Sequence, residues 1–430
     1  MQFKKISGFG NVDHSFNESY CEDNIYEIKK LLDRYRFTIR AAGTSYGDAA
    51  ISTNSKIFET NKLNKIIHFD KVQGLIRVQS GVKIQNLLEE IIPSGWFLNV
   101  TPGTSMATIG GVTSCDSHGK NFKSGSFGNF ISSIKLIDGE GKILECNPNK
   151  NKEIFYSTIG GMGLTGIILE VEIILKKINS SKVIMTNVIC NNINDMIDKI
   201  SLYKDKYEYL YSWIDTSSNN KNLGQGILVL GNHLNDKLLT FKHLKKIKYF
   251  FKLNLINKYT VFIFNKLYFW KNKYIKKIKI VSLLDFFYPL DKVANWNNVY
   301  GLSGFIEYQC FLPSKNIKKS IFEILEIIKK NKLSVFLCSI KLLGSSKGYI
   351  SFSNKGYTIA FDFPYNKFSK KVVEELDRTV IKYYGSVNLS KNSILSKKNF
   401  EKMYSKNLTK FKQQIDNKFV SKMSERLGLL

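Results

Sequence analysis

Four glycine-rich loops in the first third of the chain carry the residue types best suited to holding a ligand through backbone groups. The loop Arg40-Ala-Ala-Gly-Thr-Ser-Tyr-Gly-Asp48 follows a strand-like run, 36–42. Small side chains there let successive N–H groups converge into a nest, a geometry that binds a diphosphate. Thr101-Pro-Gly-Thr-Ser-Met-Ala-Thr-Ile-Gly-Gly111 offers more unhindered backbone, and Cys115-Asp-Ser-His-Gly-Lys-Asn121 and Gly125-Ser-Phe-Gly128 add two further loops. Any one of them also reads as a plain turn. Together they suit a long dinucleotide threaded between two subdomains. Gly161-x-Gly163-x-x-Gly166 formally matches G-x-G-x-x-G, but that fingerprint needs a strand before it and a helix N-terminus after it. A β-branched run, 166–175, follows instead, so close packing explains these glycines better.

The elements that position the loops are those of an α+β domain. Strands are expected at 36–42, 74–79 and 166–175, and a helix at 85–92 carries Leu87, Leu88, Ile91 and Ile92 at helical spacing before Pro93. Beyond about residue 180 glycines thin out. Strands are expected at 304–312 and 357–363, with a lysine-ended helix, 317–332, between them. The last forty-odd residues read as helical, with Phe400, Met403 and Tyr404 on one apolar face. At 430 residues the chain exceeds what one core usually serves. The formal charge is +28, from 64 basic and 36 acidic residues. The basic residues are overwhelmingly lysine, whereas nucleic-acid sites lean on arginine, so charge alone does not imply a nucleic-acid partner. Six scattered cysteines and five histidines show no metal-ligand spacing. Neither a secretory leader nor a spanning helix is expected, which predicts a cytoplasmic protein or one peripheral at the inner membrane.

The loops and several further motifs together resemble the flavin oxidases with a vanillyl-alcohol-oxidase type FAD domain. Within them, the chain is most similar to the decaprenylphosphoryl-ribose oxidase family. The motifs are SGFGN near the start, SYGD (45–48), HGKN (118–121), GSFGN (125–129), GGMGLTGII (160–168), NKYT (257–260), FFYPLD (286–291), YGLSGFIEYQ (300–309) and the terminal RLGLL. They span nearly the whole chain in the family's order. The resemblance implies a two-subdomain FAD-binding domain over 1–180, an antiparallel-sheet substrate domain inserted at 181–385, and a return to the first domain over 386–430. It assigns the FAD site to Ile39, Arg40, Ala41, Ala42, Gly43, Thr44, Ser45, Tyr46, Gly47, Asp48 and Ala49. Gly103, Thr108, Ile109, Gly110, Gly111, Cys115, Asp116, Ser117, His118, Ile168 and Asn388 complete it. Many relatives attach FAD through a histidine after the glycine of the first loop. Thr44 stands there and cannot make the bond, so FAD is expected to be non-covalent.

The chemistry implied is hydride transfer from a secondary alcohol carbon, which requires that the hydroxyl lose its proton and that developing negative charge be stabilised. Lys391, Tyr46 and His118 match the catalytic positions. Lys391 alone would read as one more solvated lysine. Lys120, Phe287, Glu307, Gln309, Lys341, Thr358 and Lys391 match the substrate-facing positions. Glu307 replaces a glutamine, Phe287 a tyrosine, Thr358 an asparagine, Ala360 a cysteine and Asn388 a tyrosine, which opens the identity of sugar and lipid. Residues 237–280 hold thirteen lysines, eleven aromatics and no Asp or Glu. That mixture is an interfacial signature, with a buried hairpin as the alternative. The function expected is oxidation at C2 of a polyprenyl-phosphate-linked pentose, the first step of a ribose-to-arabinose epimerisation for cell-envelope arabinan. Its expected partners are an anionic membrane surface, a keto-sugar reductase, and quinone or oxygen. A soluble alditol or sugar-lactone oxidase is the rival within this fold. The rival outside it is a lysine-rich protein binding membrane or nucleic acid on a vestigial flavin fold.

Overall fold

The computed structural model describes residues 2–218, 220–248, 252–275 and 277–430. Four four- or five-stranded sheets form its frame, backed by amphipathic helices. The first contains Gln2–Ser7, His14–Tyr20, Lys56–Glu59 and Phe37–Arg40 in that order. Its first pair is antiparallel and the later pairs are parallel. The second is fully antiparallel, ordered Ile66–Asp70, Leu75–Gln79, Ile167–Ile174, Ile131–Ile137, Ile143–Cys146. Ile76, Val78, Val171 and Ile173 alternate inward from it and pack on the Ile84–Ile91 helix, whose Leu87, Leu88 and Ile91 are fully buried. The helix ends two residues before Pro93, a residue that disfavours continuation of a helix.

The third sheet orders Tyr209–Ile214, Gly226–His233, Lys182–Cys190 and Ile278–Ser282, and the fourth Cys338–Leu343, Gly356–Pro364, Phe305–Leu312 and Ser386–Val387. The Ile193–Tyr203, Ile317–Lys330 and Ser369–Lys382 helices cover them from one side, joining a single large apolar cluster. The expected strands at 304–312 and 357–363 and the helix at 317–332 are present within a residue or two. Phe400 and Tyr404 bury one face of the Lys397–Tyr404 helix, with Met403 partly buried beside them.

Two corrections follow. The Ser369–Lys382 helix was not anticipated, although Val372, Val373, Leu376 and Val380 give it an inward stripe. The segment 237–280 is no buried hairpin. Its main element is the Lys258–Tyr274 helix, begun by an Asn257–Thr260 capping box. Tyr249, Phe250, Phe251 and Lys276 of this segment lie outside the described residues.

The C-terminal segment ends against the first sheet. Phe37 N–H donates to the Lys418 carbonyl at 2.8 Å, and Val420 N–H to the Phe37 carbonyl at 2.9 Å. Arg426 forks onto the fully buried Asp48 carboxylate with two 2.8 Å hydrogen bonds, Nε to Oδ2 and Nη2 to Oδ1. The loop 41–49 is therefore held from the far end of the chain.

Candidate active site

A cavity of about 780 Å³ opens between the glycine-rich loops and the inner face of the fourth sheet. One wall is backbone. Ala41 to Tyr46, Gly103, Thr108, Gly110, Gly111 and Cys115 to Lys120 all line it, with Ala49 and Ile168. Gly43 turns the first loop at φ +66°, a left-handed conformation that glycine adopts without steric penalty. Among the described residues nothing lies within 4 Å of where a Gly103 side chain would project. Thr108 accepts from Gly111 N–H at 3.2 Å and starts the short Ile109–Cys115 helix. Asp116, in the left-handed region at φ +43°, fixes the next loop: its carboxylate accepts from Gly128 N–H at 2.8 Å and Ser126 Oγ at 2.9 Å.

Five predicted residues do not reach the cavity, four of them behind this wall and Thr358 within the fourth sheet. Arg40 donates to the Ala50 and Ser7 carbonyls at 3.1 and 2.9 Å, Asp48 is held by Arg426, and Ile109 is a core residue. Gly47 lets the backbone approach Asn392, where a Cβ would meet its carbonyl carbon at 3.2 Å. Thr358 is buried and accepts from Gln309 Nε2 at 3.2 Å.

The opposite wall carries side-chain chemistry, and the period-two geometry of strands dictates which residues share it. Glu307 and Gln309 project from one strand, Thr358, Ala360 and Asp362 from the next, and Ser339 and Lys341 from the third; their registers are Gln309↔Ala360↔Ser339 and Glu307↔Asp362. Residues 388–391 close the end. Asn388 donates to Gln309 Oε1 at 2.9 Å, and the Ser390 carbonyl accepts from Tyr46 N–H at 3.0 Å. Both walls are therefore tied together by one turn, and Lys391 projects from it. Its Nζ lies 3.2 Å from Glu307 Oε2 and 3.7 Å from the centre of the Tyr46 ring. That removes the reading of Lys391 as a solvated lysine.

His118 Nε2 sits 2.7 Å from Gln309 Nε2. The amide donates there, so the imidazole is neutral and carries its proton on Nδ1. Burial foremost, then the Lys341 charge, pushes the His118 pKa down to about 3. Lys341 is itself lowered to about 8, by burial first. Lys120 is buried and pushed well below the usual lysine range for the same reason. Its ammonium donates to the Phe286 and Phe287 carbonyls and lies 4.1 Å from the Tyr211 ring centre. It braces the Phe287 segment against the cavity wall.

Sequence reasoning missed two groups. Asp362 lines the cavity beside Glu307, and its place two residues after Ala360 was readable from strand alternation. A belt of aromatics, Tyr211, Trp213, Phe264, Tyr268, Trp296 and Phe336, also lines it. Tyr211 and Trp213 share one strand and Phe264 and Tyr268 one helix, but the belt is assembled from four separate stretches of chain, so no single local pattern marks it.

The residues present fit FAD. The backbone wall has an open cradle at Gly103, the loops match those needed to approach a diphosphate, and among the described residues no partner reaches the buried His118 Nδ1. Residues 22–147 match the family described as FAD binding domain. The fold and cavity thus define an FAD-dependent oxidoreductase. Decaprenylphosphoryl-beta-D-ribose oxidase of Mycolicibacterium smegmatis is 30% identical over 413 residues, 91% of this chain and 89% of that protein. This chain belongs to the decaprenylphosphoryl-β-D-ribose oxidase family. More partial similarity extends to a putative D-arabinono-1,4-lactone oxidase of Neurospora crassa, 29% identical over 36% of this chain and 29% of that one. L-gulonolactone oxidase of Scyliorhinus torazame is 28% identical over 36% of this chain and 37% of its own.

Proposed function

We propose that this protein oxidises C2 of a polyprenyl-phosphate-linked pentose to a keto sugar, the first half of a ribose-to-arabinose epimerisation. A keto-sugar reductase would complete that conversion, and quinone or oxygen would reoxidise the enzyme. The observation that carries the reading is the convergence of Lys391, Gln309, Glu307 and Lys341 opposite a backbone wall shaped for a dinucleotide, from which His118 reaches across to Gln309. Similarity over nine-tenths of the chain to an enzyme named for a lipid-linked ribose supports it. In this reading residues 1–180 bind FAD, 181–385 form the substrate domain and 386–430 return to the first; the Val420–Phe37 and Arg426–Asp48 contacts support that division.

Bound FAD supplies the two-electron acceptor for hydride leaving an alcohol carbon. The chain's own residues do the rest. Backbone of Ala41–Tyr46 and of Gly103–Gly111 holds the cofactor without a covalent bond. Lys391 places a positive charge where negative charge develops as the hydroxyl ionises. Its ion pair with Glu307 and its contact with Tyr46 fix the ammonium before substrate arrives. Gln309, its amide spent on His118, Thr358 and Asn388, orients neutral His118 so that its Nδ1–H supplies a directional hydrogen bond, and Lys341 adds a second positive charge.

The substrate's tail requires an enzyme at a membrane surface. Among the described residues no helix is long and apolar enough to cross a membrane. The Lys258–Tyr274 helix instead leaves Tyr259, Ile263, Leu267, Trp270 and Tyr274 more than half exposed. Lys258, Lys266, Lys271 and Lys273 accompany them, with no acid anywhere in 237–280. The helix's other side puts Phe264 and Tyr268 into the cavity lining. Tyr268 meets Trp213 with ring centres 4.7 Å apart, and Phe264 meets Phe336 at 4.9 Å. We propose that this helix lies in the headgroup boundary of an anionic leaflet and that the tail enters along its aromatic side. Incubation with polyprenyl-phosphoryl ribose and an electron acceptor, followed by mass spectrometry, tests the reaction: loss of two hydrogens from the pentose is expected, and an unaltered sugar refutes it.

A further inference from the structure

Glu307 and Asp362 are partners in register on neighbouring antiparallel strands, so their side chains leave the same face of the sheet. Both line the cavity. Asp362 is 3% exposed, and among the described residues no donor reaches its carboxyl oxygens. The carboxyl opens onto the cavity, so a hydroxyl of a ligand held there can reach it. Glu307 is differently placed, with its Oε2 3.2 Å from Lys391 Nζ.

Five groups face the pair, from four directions. Lys391 approaches from the C-terminal turn and Tyr46 from the first glycine-rich loop. Lys341 and Cys338 lie on the adjoining strand, and Tyr300 precedes the Glu307 strand. One lysine in direct contact does not neutralise two carboxylates. Burial, and then the neighbouring Glu307 charge, push Asp362 well above the usual carboxylate range, against a smaller opposing effect of Lys391. Asp362 is therefore the member that keeps the proton.

We propose that Glu307 and Asp362 form a carboxyl pair holding a single proton that reads two adjacent hydroxyls of the sugar ring, with Asp362 donating to one and Glu307 accepting from the other. The inference deepens the sugar-oxidising reading and rests on it. Two ionised carboxylates could only accept, and two neutral amides would discriminate less, so the mixed state is what confers selectivity for a vicinal diol. The residues lie on rigid strands, which fixes the separation and direction of the two contacts.

The test uses the FAD-loaded protein and short-chain prenyl-phosphoryl ribose, with its 2-deoxy and 3-deoxy analogues, binding being followed by the change in flavin absorbance. In the parent, removing a hydroxyl that bonds a charged or acidic partner should weaken binding about tenfold or more. Glu307→Ala and Asp362→Ala should each weaken binding of the intact sugar similarly, and then show almost no further penalty for one of the deoxy sugars. Asp362→Asn keeps a neutral donor at nearly constant volume, so it should stay within roughly threefold of the parent. Parent affinity should fall as pH rises through the raised pKa of Asp362, and Asp362→Asn should lose that limb. A second readout needs no ligand: at neutral pH the parent should show the infrared C=O band of a protonated carboxyl that Asp362→Asn lacks. Equal deoxy penalties in parent and alanine variants, or no such band, overturn the carboxyl pair while leaving the oxidase reading intact. Failure of the FAD-loaded parent to bind any of the three sugars overturns the oxidase reading and the pair with it.

Discussion

Replacing Arg426 with alanine should weaken both the fold and its hold on FAD, although Arg426 lines no part of the cavity. The side chain makes two 2.8 Å bonds to the Asp48 carboxylate, one of 3.2 Å to the Asn392 carbonyl, and a further one to the Leu395 carbonyl. Asp48 is fully buried, so the substitution leaves a carboxylate without its counter-charge rather than merely deleting a bond. Breaking a buried pair on one side typically costs about 3–5 kcal/mol. With an unfolding entropy near 2 cal/mol/K per residue, that is a fall in melting temperature of roughly 3–6 °C for a chain of this length. Because Asp48 ends the loop 41–49, FAD should also dissociate more readily. Thermal unfolding followed by flavin fluorescence and circular dichroism reads both effects. Arg426→Lys should recover only part of the loss, since an ammonium cannot fork onto both oxygens. An alanine variant that melts and retains flavin like the parent would refute the assignment of Asp48 and Arg426 as the tie between the chain's two ends.

Lys391→Ala should slow flavin reduction by substrate by about a hundredfold to a thousandfold with little change in FAD content, measured by stopped flow; reduction at the parental rate would remove Lys391 from the chemistry. FAD should be released by acid or heat, because Thr44 occupies the usual anchoring place; flavin remaining on the precipitated chain would contradict this. Lys341 is expected to lower stability while charged, since its folded pKa of about 8 lies below the ordinary 10.5. The penalty is full below pH 8 and is relieved as pH rises toward 10.5, so Lys341→Met should stabilise the fold most at neutral pH and least in strong base, as denaturant midpoints across that range will read. Binding to anionic vesicles should weaken with salt without vanishing, and the combined change of Lys271, Lys273 and Lys277 to glutamine should reduce it, at about 1 kcal/mol for each lysine. Unchanged vesicle co-sedimentation would leave the 258–274 helix as a lysine-rich surface.

Much of the backbone wall was legible because glycine placement is a local signal. The loops at 41–49, 101–111 and 115–121 line the cavity as their composition suggested, and the strand following Gly166 excludes a dinucleotide fingerprint of the Rossmann kind. Long periodic elements such as Ile84–Ile91 and Ile317–Lys330 were equally readable. What distinguishes a lining residue from a supporting one was not. Arg40 and Asp48 have the chemistry of ligand contacts, yet their partners lie far away in sequence at Ser7 and Arg426. Asp362 looked like an ordinary strand residue until its register against Glu307 was known. In 237–280 the lysines and aromatics leave apolar groups on nearly every side of the helix, so its period is weak and a hairpin read equally well.

Rapid anaerobic mixing of the FAD-loaded protein with polyprenyl-phosphoryl ribose, followed at the flavin's visible absorption band, tests the proposed oxidation most directly. Bleaching in a single turnover, slowed by deuterium at C2 and absent with L-gulono-1,4-lactone, is the predicted result. Bleaching by the lactone while the lipid-linked pentose leaves the flavin oxidised would contradict it.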